Sequence, residues 1–171
     1  MINGGFRPSG GASYGRGDPR DAPRQRKAQS MPDPTLPVTF SFGDSPELAN
    51  ELLALVLAGV KTATCGALRD FAPGGDALPQ VGRRDIVLDG AGRPAAIIET
   101  LEVAVRRFDA VDAEFARDEG EGDRSLASWR RGHEAFFARN GGFSPDMELV
   151  CERFRLVKIL NPEGWPTPGQ P

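Results

Sequence analysis

Three segments of this 171-residue chain carry residues able to do chemistry. The first is Gly59-Val60-Lys61-Thr62-Ala63-Thr64. In a helical turn or tight loop Lys61 and Thr64 can meet, whereas in a strand their odd spacing sends them to opposite faces. Together they could act as a base beside a hydroxyl, if burial lowers the lysine pKa, or as a cation holding a phosphate or carbonyl oxygen. The plainer reading is a solvated lysine and a threonine bonded to local backbone. The second segment, Phe115 to Asp123, holds Asp118, Glu119, Glu121 and Asp123 within six residues. Clustered carboxylates repel one another unless cations stand among them. The loop is therefore either solvated and caps the next helix, or turns one acid inward to pair with Lys61. It lacks the ligand order and closing glutamate of an EF-hand. In the third segment, Ser128 to His133, Trp129 beside Arg130 and Arg131 could stack a base while the guanidinium groups contact phosphates. Helical spacing also puts Trp129 and His133 on one face, where both could simply be core.

These residues need elements to hold them. Val38 to Phe42 alternates apolar and polar residues as a strand does. Asp44 and Ser45 can cap a helix running through Leu48, Leu52, Leu53 and Val56, with Gly59 where a helix ends in positive φ. Asp85 to Leu88, the turn Asp89-Gly90-Ala91-Gly92 and Ala95 to Val105 read as a hairpin with a long second strand. Phe115 to Arg117 and Ser125 to Arg139 read as helices. Met147 to Leu160 reads as a last long strand, in which Leu149, Cys151 and Arg153 alternate against Val150, Glu152 and Phe154. Strands with scattered helices, rather than a regular βαβ series, predict an α+β domain or a helix-decorated barrel.

Composition limits what such a domain can do. Residues 1–34 are rich in Gly, Pro, Ser, Arg and Asp and nearly free of aliphatic side chains, so they predict a disordered tail, with Met31 a candidate start. Residues 161–171 carry four prolines and predict a second tail, leaving 35–160 as the folded domain. The tail before Thr35 takes six of the 21 basic and three of the 24 acidic residues, so the remainder carries 15 minus 21, or −6. A net acidic domain is a poor general polyanion binder, and any RNA handling must use a local basic cleft. No apolar run is long enough to span a membrane, and the first residues lack a signal-peptide apolar region. The chain is expected to be cytoplasmic, with Cys65 and Cys151 reduced. One histidine, His133, excludes a His-rich metal site.

Taken in order, these segments resemble the ASCH family. The resemblance runs over most of Val38 to Leu160: Phe42-Gly43-Asp44-Ser45-Pro46, then Gly59 to Thr64, Val81-Gly82, Ile98 to Val103 and Phe108 to Asp112. It closes on Glu119 to Leu126, Trp129, His133 and Cys151-Glu152-Arg153-Phe154. It implies an α+β, PUA-like β-barrel with peripheral helices and a cleft between barrel and first helix. It also implies a role with RNA or a nucleoside. Separately, no cofactor or metal is expected. In a small branch of the family that hydrolyses N4-acetylcytidine, the G-x-K-x-x-T lysine and threonine and a downstream glutamate are catalytic. They correspond to Lys61, Thr64 and Glu119, with the threonine oxygen attacking the acetyl carbonyl. Where that branch has arginine two residues after the threonine, this chain has Gly66, and it adds the helix Ser125 to Arg139.

Two main expectations follow. The chain is a ribonuclease or nucleoside amidohydrolase with Lys61, Thr64 and Glu119 in its cleft, or it is a non-catalytic RNA-binding module. In the second case Arg69, Arg83, Arg130 and Arg131 contact phosphates while Trp129, with His133 beside it, stacks a base. A small-molecule sensor or interaction domain is a third reading.

Overall fold

The computed structural model describes residues 37–71 and 75–160. The expected tails, 1–34 and 161–171, and Met31 lie outside the described residues. Chain order is β1 (Thr39–Phe40), α1 (Pro46–Leu57), β2 (Ala63–Ala67), β3 (Arg84–Leu88), β4 (Pro94–Arg107), α2 (Ala113–Glu119), α3 (Leu126–Arg139) and β5 (Glu148–Ile159). Short 3₁₀ turns cover Leu68–Phe71 and Phe108–Ala110.

The helices start where their capping residues stand. The Ser45 hydroxyl accepts from the Leu48 N–H with Pro46 inside the first turn, Asp112 accepts from Phe115 N–H, and Ser125 accepts from Ser128 N–H. Gly59 follows the end of α1 and Gly120 ends α2, both with positive φ, where a side chain would be strained.

The strands form one mixed five-stranded sheet in the order β1-β3-β4-β5-β2. β1 pairs parallel with β3, and every other pairing is antiparallel. The two edge strands are not paired with each other, so the α+β class holds while a closed barrel does not form among the described residues. Bulges at Ile97/Ile98 and Thr100/Glu102 shift the β4–β5 register, and such bulges bend and twist a sheet. Because β4 and β5 are long, they run from one apolar cluster into another. One cluster packs Leu52, Leu53 and Val56 of α1 on Phe42, Val87, Ile98 and Phe154. The other packs Phe115 of α2 and Trp129, Phe136 and Phe137 of α3 on Ala63, Cys65, Leu149 and Cys151.

Candidate functional site

The short segment between α1 and β2 is clamped from both sides. Val60 and Lys61 donate their N–H groups to the Leu55 carbonyl, and Thr62 N–H donates to Asp118 O at 2.8 Å. Gly120 closes this contact: a Cβ there would lie 2.7 Å from Val60 O. β2 then begins at Ala63, so strand alternation sets the direction of Thr64, while Lys61 lies two residues ahead of the strand. Cys65 joins the core against α2 and α3, while Thr64 lines a cleft.

Beneath β2 lies a buried charge network. Lys61 Nζ donates to Glu119 Oε2 at 3.0 Å, to Glu121 Oε1 at 3.0 Å and to the Glu119 carbonyl at 3.3 Å. These contacts use all three ammonium donors. Two acids of the Phe115–Asp123 segment thus turn inward. Trp129 Nε1 donates to Glu119 Oε1 at 3.1 Å, and His133 stacks on Trp129 with centroids 4.2 Å apart. Burial works against the charge on Lys61, yet Glu119 and Glu121 outweigh it and hold the ammonium form. Burial likewise opposes ionisation of both acids, but Lys61 keeps Glu119 well below the ordinary carboxylate range and Glu121 down to about 2. Lys61 and Glu119 are essentially without solvent exposure, and neither lines the cleft. Cys65, Glu119 and His133 bring possible metal-ligand atoms within 4.8 Å of one another. Lys61 and Trp129 already engage both Glu119 oxygens there, so the cation this cluster is built around is the lysine ammonium.

The cleft lies on the other face of β2. It encloses about 350 Å³ and is lined by both edge strands, Val38 to Ser41 and Thr64 to Gly66, so the sheet curls around it. Its polar wall is Thr64, Arg83, Asp85 and Glu152, with Asp76 at one side. Arg83 is locked: Nε and Nη2 donate to Asp85, and Nη1 donates to Leu78 O at 2.8 Å. Thr64 and Glu152 are direct cross-strand partners. Thr100 Oγ1 donates to Glu152 Oε1 at 2.6 Å. Burial pushes the Glu152 carboxyl up to about 7; the Thr100 hydrogen bond works against this and the nearby Asp85 charge adds to it. The Thr64 hydroxyl is buried with no hydrogen-bond partner among the described residues.

The expected site residues therefore separate. Thr64 and Arg83 reach the cleft, and Lys61 and Glu119 lie under its wall. Trp129 and His133 are buried in the helical cluster, where Trp129 packs on Phe108 and His133, so its ring offers no face for a base. Arg69 bonds the carbonyls of Asn140 and Gly142, Arg130 bonds Asp109 O, and Arg131 is exposed; none of the three lines the cleft. Glu152, Asp85 and Thr100 were not singled out as site residues. For Glu152 a signal existed, because it shares a strand face with Val150 and Phe154, and an acid on an apolar face is seldom there for solubility.

Residues 38–158 match the ASCH domain family. The chain belongs to that family. Two solved structures are similar to it. An ASCH domain from Lactobacillus crispatus is 35% identical, with TM-score 0.65, over 70% of this chain and 78% of that one. A protein from Enterococcus faecalis is 39% identical, with TM-score 0.66, over 72% of this chain and 77% of that one. No curated protein matches the chain. Among the described residues of this ASCH domain, no helix is long and apolar enough to cross a membrane.

Proposed function

We propose that this ASCH domain is a hydrolase acting on a modified nucleoside or a small piece of RNA held in the β1–β2 cleft, with Thr64 supplying the attacking oxygen. The observation that carries the reading is the Thr64 hydroxyl, buried in the cleft wall and unpartnered among the described residues. An unsatisfied buried hydroxyl costs about 1–3 kcal/mol, which a bound ligand can offset. A cleft of about 350 Å³ suits a ligand of nucleoside size. Its lining includes one basic side chain, Arg83, already paired with Asp85, against the acids Asp76, Asp85 and Glu152. That balance favours a neutral polar ligand over a run of phosphates.

Lys61, fixed as an ammonium with its donors engaged, is poorly suited to act as the base. With Glu119 and Glu121 it is assigned a positioning role, holding the entry to β2 and hence Thr64.

The test incubates the purified chain with N4-acetylcytidine and, separately, with mixed single-stranded RNA, following products by chromatography. Product that disappears in Thr64→Ala supports the reading. No product from either substrate, or undiminished product in the variant, rejects it.

A further inference from the structure

The geometry points to Glu152 as the proton carrier for chemistry at Thr64. This rests on the cleft reading above and adds to it the catalytic group that neither the sequence motifs nor the family comparison assigns.

Glu152 and Thr64 face each other across the β2–β5 ladder. Directly opposed residues on one face have Cβ atoms roughly 4.5–5.5 Å apart. A glutamate side chain is long enough to cross that gap, and in this structure no hydrogen bond joins the two side chains. Thr100 fixes one carboxyl oxygen, Oε1, and thereby the plane of the group. The second oxygen has no hydrogen bond among the described residues, so it is available to a hydroxyl or a ligand. Of the other acids lining the cleft, Asp85 is bound to Arg83 through both oxygens and also accepts from Val38 N–H. Asp76 is only half-buried, at the side of the cleft. Among the described residues of the lining, Glu152 is therefore the one buried carboxylate with an open oxygen beside the unpartnered hydroxyl.

For an amide substrate the step balances without a cofactor. The Glu152 carboxylate takes the Thr64 Oγ1 proton as Oγ1 bonds to the carbonyl carbon, and the C=O π pair moves onto oxygen. When that pair returns, the C–N bond breaks and the Glu152 proton goes to the leaving nitrogen. Water, deprotonated by Glu152, then releases the acyl group from Thr64 and restores both residues.

The groups facing Glu152 are Arg83 and Asp85 at β3, Asp76 ahead of it, Thr100 on β4 and Thr64 on β2. Arg83 and Asp85 offset each other as a pair. Titration near pH 7 makes the carboxyl an acceptor above that pH and a donor below it, as a group that must do both requires.

The test measures turnover of N4-acetylcytidine against pH for wild type, Glu152→Gln and Thr100→Val, with binding of cytidine followed in parallel. Glu152→Gln, which keeps an acceptor for Thr100, is expected to lower kcat roughly 10²–10⁴-fold while cytidine still binds. Thr100→Val removes the bond that favours the anion, so the rising limb of the pH profile should move to higher pH. Wild-type turnover and an unchanged limb in Glu152→Gln would overturn the assignment while leaving the cleft reading intact. A wild type that neither binds nor turns over a nucleoside sinks both.

Discussion

Thr64 and Glu152 are paired on the cleft face of the β2–β5 ladder, and the next pair along, Cys65 and Cys151, points to the opposite face. One two-strand ladder thus carries a polar pair on a cleft and a thiol pair in the core. Burial pushes Cys65 well above its ordinary pKa and Cys151 up to about 12, so neither thiol is activated. The strand holds Thr64 in place because its start is tied to α2 through Thr62 and Lys61.

The Lys61 network should therefore matter to the fold as well as to the cleft. Lys61→Ala would remove the ammonium that contacts both Glu119 and Glu121 and is expected to cost about 3–5 kcal/mol by chemical denaturation. Adding Glu119→Gln and Glu121→Gln to Lys61→Met should recover much of that loss, since no buried charge would remain unbalanced. A loss below about 1 kcal/mol in Lys61→Ala would refute the structural role.

Stability should depend on pH with two opposite slopes. Glu119 and Glu121 have depressed folded values, so their contribution is present above the unfolded value of 4.5 and is lost as pH falls towards about 2. Glu152 is raised to about 7, so its contribution is present below 4.5 and is lost as pH rises through 7. From pH 5 to pH 8 the wild type should lose about 2–3 kcal/mol relative to Glu152→Gln. Parallel denaturation profiles for the two proteins across that range would contradict it.

Trp129 should report on the fold and be silent to nucleic acid. Trp129→Phe keeps most of the ring packing but removes the donor to Glu119 Oε1. A hydrogen bond to a buried charge is worth about 2 kcal/mol. The expected effect is that loss of stability with cytidine affinity unchanged. A tenfold fall in affinity at unchanged stability would restore a stacking role.

Much of the fold was legible in the sequence because its signals were local. Ser45 and Ser125 marked their helices, and the hairpin turn at Asp89 to Gly92 lies between β3 and β4. β2 was not legible: Ala63-Thr64-Cys65-Gly66-Ala67 is buried throughout, so it lacks the alternation that marks a half-exposed strand. With β2 read as a turn, Lys61 and Thr64 are able to meet. Instead Thr64 lines the cleft from β2, while Lys61, two residues ahead of the strand, is buried in the charge network. Glu152 stood in view beside Arg153, which pairs with Asp118 near the surface, and their contrast depends on the face each occupies. Curling of the open sheet depends on bulges, which no short pattern encodes.

Thr64 gives the sharpest separation of function from stability. Its hydroxyl is buried and unpartnered among the described residues, so Thr64→Val replaces an unsatisfied polar group with a methyl of similar size. The variant is expected to be more stable than wild type by about 1 kcal/mol and to lose turnover, because the attacking oxygen is gone. Most substitutions in a core strand destabilise, which makes the expected sign informative. Thermal unfolding and turnover measured on the same preparation decide it. A destabilised variant would mean that the hydroxyl is satisfied within the protein, and a stabilised variant with full turnover would remove Thr64 from the chemistry.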